Sequence, residues 1–420
     1  MRVLWLSLSS SLYKISENGY NGIGWIASLE QHIKLEASVS LGIAFYLNDI
    51  ENKIINDGVT YYPINRSKKI TERVRRFFIS HKSDNSDMIQ IKRVINDFQP
   101  DIIHIFGTET NFGKIIPFTN IPVTIHIQGI LNPYVNAWFP AGFSFFDFII
   151  YNGFNLKKSI VDAWMYDANK KMAIRELQIL KDCRYFMGRT EWDKNVTKLL
   201  SPNSKYLYCS EILREVFYQS NYIPVLKNSS KFIIQSTISS PLYKGVDLIL
   251  KTAKLLCTQT KIQFEWHIFG VKEISFFEKK LNIKHCDVNV KLMGIATAQD
   301  LKDNLSNCDL YVHPSYIDNS PNSVCEAQIL GIPVIVTNVG GLSSLVVHNE
   351  TGLIIPANDP YSLVYYIDYL RINKEHSKKI GQNGKVVALE RHKTATIISN
   401  LLTNYQIIID DNNQKFTNGL

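Results

Sequence analysis

Two polar loops in the second half of the sequence carry the residue types that bind phosphates and sugar hydroxyls. One loop, at 316–320, follows an apolar run and contains Asp318, and Glu326 lies a short way into the segment that comes next. Carboxylates are strong, directional acceptors for paired hydroxyls such as those of a ribose or a hexose. A purely structural role would suit the same residues, with Asp318 in a turn and Glu326 favouring the start of a helix. Residue type and spacing alone leave both interpretations open.

The other loop carries a lysine at the start of a predicted helix. It reads Ser-Ser-Pro and continues to Lys244 and Gly245. A lysine there adds a point charge to the positive end of the helix dipole and would suit a pyrophosphate, although loop lysines are common on surfaces. A third loop, between the first predicted strand and helix, contains Gly19, Gly22 and Gly24. Glycines there let the backbone approach a phosphate, although their spacing is not that of the dinucleotide-binding fingerprint.

The segments that must position these loops alternate between short apolar runs and amphipathic stretches. This pattern predicts βα units and mostly parallel sheets. Ser320 is predicted to cap a helix whose first residue is Pro321, and Gly331 with Pro333 is predicted to end it. We therefore expect doubly wound domains that bind ligands beyond the carboxyl ends of their strands, in the cleft between the domains.

The length of the chain predicts more than one domain, since 420 residues exceed the roughly 100 to 200 of an ordinary core. The polar stretch at 219–230 lacks periodicity and contains a proline, which is typical of a linker. It would separate an N-terminal domain at 1–218 from a C-terminal domain at 231–392. A last helix at 393–410 is expected to return to the N-terminal domain, with a frayed tail at 410–420.

The composition of the chain excludes several classes of protein. Hydrophobic residues form 45% of the chain and charged residues 20%, which excludes a disordered, collagen-like or coiled-coil protein. The most apolar later stretch, 137–154, is interrupted by proline, glycine and polar residues, so no transmembrane helix is predicted. The six cysteines lack paired short spacings, which argues against a zinc site or a disulfide framework and fits a reducing cytoplasm. The net charge of +8 favours an anionic partner without identifying it.

Together these segments resemble the retaining glycosyltransferases of family 4. The strongest piece is DNSPNSVCEAQILGIPVIVTNVGG at 318–341, which is similar to the family's Glu, seven residues, Glu signature followed by a Gly-Pro-Val strand and a Gly-Gly turn. PLYKGVD and NGIGW look like the family's lysine segment and N-terminal glycine loop. PDIIHIFGTE and GRTEWDK look like segments common among bacterial members that build surface polysaccharide. The resemblance covers nearly the whole chain and implies the GT-B fold, two facing Rossmann-like doubly wound domains with an interdomain cleft.

The function that this resemblance implies is a cytoplasmic, retaining, metal-independent glycosyltransferase. It would move a sugar from a nucleotide diphosphate sugar to a glycan or a polyprenyl-diphosphate-linked glycan in surface polysaccharide biosynthesis. No Asp-x-Asp sequence is present, so neither a metal nor another cofactor is expected. The resemblance suggests attack on the donor's leaving-group face, with the departing phosphate oxygen accepting the acceptor's proton.

The resemblance also implies roles for individual residues. Lys244 would neutralise the donor diphosphate, Glu326 would hold the donor ribose, and Asp318 would contact the transferred sugar. Further donor contacts would come from the backbone of the signature loop and of the opposite domain, at Asn319, Ser320, Asn322, Gly22 and Gly24. Gly340 and Gly341 match the family's Gly-Gly turn, which is expected further from the donor.

Three residues depart from the family's pattern. Asp318 stands where glutamate is usual, Ser239 where an arginine is usual, and Ile23 where glycine is usual. Two rival hypotheses stay open, and Ser239 and Ile23 motivate the first of them. One is a catalytically inactive partner that binds sugar nucleotides, and the other is a GT-B enzyme of another reaction, such as a sugar-nucleotide epimerase.

One N-domain strand, PVTIHIQG, is expected to present a side chain to the donor sugar. By register this is Gln128, but His126 lies two residues earlier and points to the same face, so either could enter the cleft. His126 could instead be a histidine of the core. His104 and Glu109 end another predicted strand, in a structural or a cleft position. Arg189 could reach a phosphate or form an interdomain ion pair.

The segment 66–82 is strongly basic, with Glu72 as its single acid. Ile70, Val74, Phe77 and Phe78 fall on one side at helical spacing. A basic amphipathic helix can lie on an anionic membrane, so we expect peripheral contact with the inner face of the cell membrane. The alternative is a solvated helix packed on the N-terminal domain. Nucleic acid is not an expected partner, because no recognised binding motif accompanies the charge.

Overall fold

The computed structural model describes residues 1–13, 24–47, 51–65, 80–152, 156–219, 231–239 and 242–418. Gly19, Gly22, Ile23, nearly all of the basic segment 66–82 and most of the predicted linker at 219–230 lie outside the described residues. Within the described ranges, no helix is long and apolar enough to cross a membrane.

The first half of the chain forms a sheet that is parallel except at one edge. Its strands in the described residues are β1 (Arg2–Ser7), β2 (Ser40–Leu47), β3 (Ile54–Asn56), β4 (Val59–Asn65), β5 (Ile102–Phe106), β6 (Val123–His126), β7 (Tyr185–Gly188) and β8 (Lys205–Tyr208). They lie in the order β3-β4-β2-β1-β5-β6-β7-β8, and β3 runs antiparallel to β4. Val3 and Trp5 enter the core on one face of the sheet, and Leu4 and Leu6 enter the core on the other. The apolar runs are continuous because both faces are covered.

Helices cover both faces of this sheet, as a doubly wound domain requires. The helices described in the first half of the chain are α1 (Trp25–Ile33), α2 (Ser80–Phe98), α3 (Leu131–Asn136), α4 (Asp147–Tyr151), α5 (Leu156–Asp182), α6 (Glu191–Leu200) and α7 (Glu215–Tyr218), with a 3-10 helix at Phe112–Phe118. Leu29 of α1 packs on one face and Ile91 of α2 on the other. Helix α6 begins at a capping box made by Thr190 and Asp193, and this box fixes the loop that follows β7.

The second half forms a smaller sheet whose paired strands are all parallel. The strands described are β9 (Phe232–Thr237), β10 (Phe264–Phe269), β11 (Val290–Gly294), β12 (Leu310–His313), β13 (Val334–Thr337) and β14 (Leu353–Ile355), in the order β11-β10-β9-β12-β13-β14. The helices described are α8 (Val246–Gln259), α9 (Ser275–Leu281), α10 (Ala298–Ser306), α11 (Asn322–Ile329), α12 (Leu342–Leu345), α13 (Pro360–Ile372) and α14 (Lys374–Arg391), with 3-10 turns at Leu242–Lys244 and His285–Val288. The expected pair of Rossmann-like sheets is confirmed.

The last helix, α15 (Thr394–Asn418), packs on the first sheet rather than the second. Its Tyr405 is fully buried, and the hydroxyl accepts a hydrogen bond from Trp5 Nε1 at 3.0 Å. The same hydroxyl lies 2.6 Å from His104 Nδ1, to which it can donate its own proton. Burial lowers the pKa of His104 to about 3, so the ring is neutral and able to accept. His104 is therefore a histidine of the core.

The prediction of a frayed tail at 410–420 is wrong, because α15 continues to Asn418. Asp411 accounts for part of this continuation. Its carboxylate pairs with Arg184 at 2.7 Å and with Lys205, and it accepts a hydrogen bond from the Tyr185 hydroxyl at 2.6 Å. These partners lie far away in the sequence, so nothing near residue 411 indicated that the helix would be held in place.

A segment of the first half, 138–151, packs against the second sheet's core. Its buried aromatic residues belong to the same hydrophobic cluster as strands β9 and β10. The Phe148 ring lies 5.8 Å from that of Phe276 in α9, and Asp147 pairs with Lys280 at 2.9 Å. These residues were predicted to belong to the N-terminal domain at 1–218, but their side chains stabilise contact between the two halves.

Tyr405→Phe tests the attachment of α15. The substitution leaves the buried Trp5 N–H without an acceptor, which we expect to cost about 1 to 3 kcal/mol of unfolding free energy. The matched control is Tyr365→Phe, since Tyr365 is exposed and should change stability by less than about 0.5 kcal/mol. Urea unfolding followed by tryptophan fluorescence measures both. Equal stability of the two variants would contradict the assigned hydrogen bond.

Candidate functional site

Two loops at the carboxyl ends of β9 and β12 meet in front of the second sheet. Lys244 ends the 3-10 turn before α8, and the Tyr243 carbonyl accepts a hydrogen bond from the Tyr316 N–H at 2.7 Å. Gly245 follows with φ +82°, and a Cβ there would overlap the Pro314 carbonyl oxygen. The close approach of the two loops therefore requires glycine at 245.

Lys244 and Asp318, which the sequence proposed separately, form one ion pair. Lys244 Nζ lies 2.6 Å from Asp318 Oδ2, and His313 Nε2 lies 2.9 Å from the same oxygen. Burial would raise the pKa of Asp318, but the Lys244 ammonium and the His313 hydrogen bond hold it well below its usual range. Burial lowers the pKa of His313, against the opposing effect of Asp318, so the ring donates to the carboxylate as a neutral group. Asp318 is therefore an ionised carboxylate in a largely dry setting.

The Gly-Gly turn lies directly behind this carboxylate. Gly340 has φ +53°, and a Cβ there would overlap the Asp318 carbonyl oxygen. The Gly341 N–H donates to that oxygen at 2.9 Å. The turn, which the resemblance placed further from the donor, therefore supports the backbone of Asp318.

Tyr134, on α3 of the opposite half, completes the surroundings of Asp318. Its hydroxyl lies 3.3 Å from Asp318 Oδ1, and its ring meets that of Tyr243 edge to face at 5.2 Å. Helix α3 is held by Glu176, whose carboxylate accepts hydrogen bonds from the N–H groups of Leu131 and Asn132, each at 2.9 Å. Sequence reasoning missed both Tyr134 and Glu176, since the partners of each are more than 40 residues away.

The start of helix α11 differs from the prediction. The helix begins at Asn322, and Pro321 occupies the cap position without a side-chain hydrogen bond. Ser320, the predicted cap, instead donates its hydroxyl to Glu211 Oε1 at 2.9 Å. When the Asn322 amide is oriented to satisfy both groups, its nitrogen also lies 3.2 Å from Glu211. The Ser320 hydroxyl therefore binds Glu211, which is distant in sequence, instead of capping the helix.

Glu211 is a fully buried carboxylate that the sequence analysis did not identify. Besides Ser320 it pairs with Arg189, whose Nη2 lies 2.9 Å from Glu211 Oε2. The Arg189 guanidinium lies 5.2 Å from the centre of the Trp25 ring, beside Gly24 at the end of the predicted glycine loop. Among the described residues, Nε and Nη1 of Arg189 have no hydrogen-bond partner. Arg189 thus forms its ion pair within the first half, so the predicted interdomain ion pair is wrong. The other predicted role, contact with a phosphate, stays a prediction.

Glu326, the second signature carboxylate, is already paired. Arg214 donates to it from Nε and from Nη2, both at 2.8 Å, and only 2% of Glu326 is exposed. Burial raises its pKa, although the arginine opposes this. A ribose that approaches Glu326 would therefore meet a bidentate ion pair rather than a free carboxylate.

Asn319 joins the two halves of the molecule. Its fully buried amide accepts from Thr190 Oγ1 at 2.6 Å and donates to the Gln128 carbonyl at 3.1 Å and to Asp193 Oδ2 at 3.0 Å. Thr190 and Asp193, which cap α6, therefore also bind the signature loop through Asn319. Every polar atom of the Asn319 side chain is satisfied by the opposite half.

Gln128 and His126 lie in different environments, although they are two residues apart and were predicted to face the same side. His126 is fully buried, with Nε2 3.2 Å from the Cys209 carbonyl and its ring stacked on His104 at 5.4 Å. Burial holds its pKa well below the usual range. Gln128 is half-buried beyond the end of β6, beside Asn319. Gln128 borders the junction, whereas His126 belongs to the core.

Glu109 lies beyond the carboxyl end of β5, on the wall formed by the first sheet. Its carboxylate folds back over Gly107, and Arg175 of α5 donates to its carbonyl oxygen at 2.6 Å. Burial raises its pKa to about 7, with a further contribution from Glu176 and an opposing one from Arg175. Burial raises the pKa of Tyr243, and the nearby carboxylates of Asp318 and Glu109 raise it further. Glu109 therefore shares the electrostatic environment of the cleft.

Comparison with known proteins agrees with this architecture. Residues 224–387 match the family Glycosyl transferases group 1. The chain is 30% identical over 146 residues to an uncharacterized glycosyltransferase of Methanocaldococcus jannaschii, a match that covers 34% of this chain and 39% of that protein. It is 29% identical over 110 residues to the capsular polysaccharide biosynthesis glycosyltransferase CapM of Staphylococcus aureus, covering 26% and 29% of the two chains. These matches span well under half of either relative.

Solved structures match over nearly the whole chain. Sucrose-phosphate synthase from Thermosynechococcus elongatus superposes with a TM-score of 0.72 at 14% identity, covering 98% of this chain and 99% of that one. Anabaena HepE in complex with UDP-glucose superposes with a TM-score of 0.60 at 14% identity, covering 96% and 99%. The GT-B fold that the sequence predicted is confirmed.

Asn319→Asp tests the junction between the halves. It places a carboxylate against Asp193, so we expect a loss of roughly 3 to 5 kcal/mol of unfolding free energy, as for an uncompensated buried charge. Asn203→Asp adds the same charge at an exposed position and serves as control. Urea unfolding measures stability, and small-angle X-ray scattering detects any opening of the cleft. A variant as stable and compact as the control would show that the Asn319 contacts do not hold the halves together.

Proposed function

We propose that this chain is a retaining, metal-independent glycosyltransferase of the family 4 type. It transfers a sugar from a nucleotide diphosphate sugar to a glycan or lipid-linked glycan acceptor in surface polysaccharide biosynthesis. The observation that carries the proposal is the pairing of Lys244 with ionised Asp318 at the carboxyl ends of β9 and β12, within the GT-B fold. The match to Glycosyl transferases group 1 includes both residues.

Lys244 binds the donor diphosphate in this proposal. It lies just before α8, and the N-terminal end of a helix favours an anion. Without a donor its ammonium pairs with Asp318, and a diphosphate offers it a more highly charged partner nearby. In the reaction it stabilises the negative charge that develops on the leaving phosphate, where preorganised charge is most effective.

Asp318 accepts hydrogen bonds from the transferred sugar, with Gln128 on the opposite side of the cleft. The buried position of His126 favours Gln128 for this place. Asn319, Ser320 and Asn322 direct their side chains to the first half, so their part in donor binding falls to the backbone of the loop. Gly24, beside Trp25 and Arg189, supplies backbone from the other side.

Glu326 holds the donor ribose together with Arg214. An acidic group that is fixed by a bidentate arginine can still accept from hydroxyls through its remaining lone pairs. This makes Arg214 a positioning residue for the nucleotide, a role that the sequence analysis did not assign.

The chemical step proceeds on the leaving-group face of the sugar. The acceptor hydroxyl oxygen forms a bond to the anomeric carbon as the bond to the phosphate oxygen breaks, and that phosphate oxygen takes the hydroxyl proton. No protein nucleophile is required. The name of CapM supports a role in polysaccharide synthesis, and the UDP-glucose bound in HepE supports a nucleotide sugar as donor.

Lys244→Ala should lower transfer by roughly 100-fold or more, in line with losing a group that stabilises developing charge. Because the substitution also leaves Asp318 unpaired, the double variant Lys244→Ala/Asp318→Asn separates stability from catalysis. It should recover the thermal stability lost in Lys244→Ala without recovering transfer. Product formation from a panel of nucleotide sugars measures the rate. Turnover like that of the wild type in Lys244→Ala would remove Lys244 from the mechanism.

Asp318→Asn and Glu326→Gln should affect the donor differently. Glu326→Gln should weaken binding of the free nucleoside diphosphate, whereas Asp318→Asn should leave that affinity nearly unchanged and slow transfer. A hydrogen bond to a charged group contributes about 1.5 to 3 kcal/mol, which corresponds to roughly 10-fold to 150-fold in either measurement. Calorimetry with UDP, GDP and ADP, beside rates with two epimeric donors, tests both. Equal loss of nucleotide in the two variants would refute the division of roles.

A further inference from the structure

A dense set of apolar side chains is exposed on α4 and the first turns of α5. Eight large apolar residues there are between 39% and 68% exposed: Phe145, Phe146, Ile149, Ile150, Ile160, Val161, Trp164 and Met165. We call this set the apolar face. Scattered apolar residues are normal on surfaces, but a concentration of this kind marks an interaction surface.

The two helices that form the apolar face are joined to each other. Ser159 of α5 donates its hydroxyl to the Phe148 carbonyl at 2.7 Å, and the Asn152 amide donates to Asp162 at 2.8 Å. Phe145 lies 6.3 Å from the ring of Tyr166. On α5 the exposed residues 160, 161, 164 and 165 recur at one-turn spacing, so they share one side of the helix. The apolar face is therefore one continuous surface.

The aspartates around the apolar face are already bound to other residues and leave a lysine without an ion-pair partner. Asp147 pairs with Lys280 at 2.9 Å, Asp162 accepts from Asn152, and Asp167 pairs with Lys171 at 2.7 Å. Lys157 is exposed and forms no ion pair with any described residue, whereas Lys170 lies over the Tyr166 ring at 5.5 Å on another side of the helix. Lys157 lies one turn before Ile160 and Val161 on the same side of α5. Exposed apolar side chains beside an unpaired lysine match an anionic lipid surface.

The apolar face lies close to the cleft. Tyr166, beside Phe145, has its ring 5.8 Å from that of Trp138, and Trp138 lies 5.7 Å from Tyr243, the neighbour of Lys244. Two ring contacts therefore connect the residues behind the apolar face to the proposed donor site. A surface docked through this face would lie at the edge of the cleft.

We propose that the apolar face is the membrane-binding surface of this protein and inserts its side chains into an anionic bilayer. The proposal rests on the proposed function only for its purpose, which is to bring a lipid-linked acceptor to the cleft. Binding of the bilayer itself requires no transfer. The insertion surface differs from the basic segment 66–82 that the sequence suggested.

A second copy of the chain fits the apolar face less well than a bilayer does. A dimer interface would bury Lys157 beside apolar residues, and the centres of protein interfaces are depleted in lysine because an unpaired buried charge is costly. At a bilayer the long lysine side chains extend to the phosphate headgroups while their neighbours enter the acyl region. The net charge of +8 adds attraction to anionic lipid.

Binding of the full-length protein to vesicles tests the proposal. Vesicles of phosphatidylcholine with phosphatidylglycerol should bind the wild type in co-sedimentation. Phe146→Ser/Ile150→Ser/Ile160→Ser should lower the partition coefficient at least about tenfold, since each residue loses apolar area that would be buried. The matched control, Leu199→Ser/Ile372→Ser/Val386→Ser, removes similarly exposed residues elsewhere and should bind like the wild type. Thermal unfolding of both variants confirms that they are folded.

Other occupants and other anchors give distinct results. Wild-type binding that is absent, or unchanged by the apolar-face substitutions, overturns the proposal. Self-association in sedimentation velocity that these substitutions abolish, without vesicle binding, would identify a dimer surface instead. Arg73→Glu/Arg75→Glu/Arg76→Glu should weaken binding only in part, and complete loss with that variant alone would assign the membrane contact to the basic segment. Transfer to a water-soluble acceptor should be the same in the apolar-face variant and the wild type, so a failure of the proposed activity is seen separately from vesicle binding.

Discussion

The buried charge of Asp318 is the constraint around which the cleft is arranged. An ionised carboxylate with little access to water is stable only when cations and hydrogen-bond donors surround it. Lys244 and His313 supply them at 2.6 and 2.9 Å. Their approach requires two loops to lie closer than side chains allow, and this explains the glycines at 245 and 340. The same arrangement keeps a lysine beside the N-terminus of α8, where a diphosphate would be stabilised.

The two halves of the molecule are joined by contacts of two kinds. Near the signature loop the contacts are polar and specific, because the side chains of Asn319 and Ser320 bind Thr190, Asp193, Glu211 and the Gln128 carbonyl. Near α9 they are aromatic, through the 138–151 segment. Polar contacts lose much of their energy when geometry changes slightly, whereas aromatic packing tolerates small rotations. A donor that altered the signature loop would thus act on the polar junction first, while the aromatic contacts keep the halves together.

The aromatic segment also links the cleft to the surface. Its inner residues, such as Trp138 and Phe148, are buried against the second half, whereas Phe146 and Ile150 on the same short stretch are exposed. This stretch therefore has one apolar side that packs on the protein and another side that is exposed.

The sequence by itself determined the elements and the order in which they occur. Apolar runs of four to eight residues and their glycine and proline boundaries predicted the two parallel sheets, and they placed Lys244 and Asp318 in loops that follow strands, because these signals depend on near neighbours in the chain. Only the tertiary structure decided what each residue contacts. Ser320 was predicted as a helix cap but donates to Glu211, and Glu326 is paired with Arg214. Helix α15 continues past Asp411, which pairs with Arg184 and Lys205. His126 and Gln128 are two residues apart and were both candidates to face the cleft. Only their burial in the structure showed that His126 belongs to the core and that Gln128 borders the junction between the halves. In each case the deciding partner is far away in sequence, and local periodicity carries no information about it.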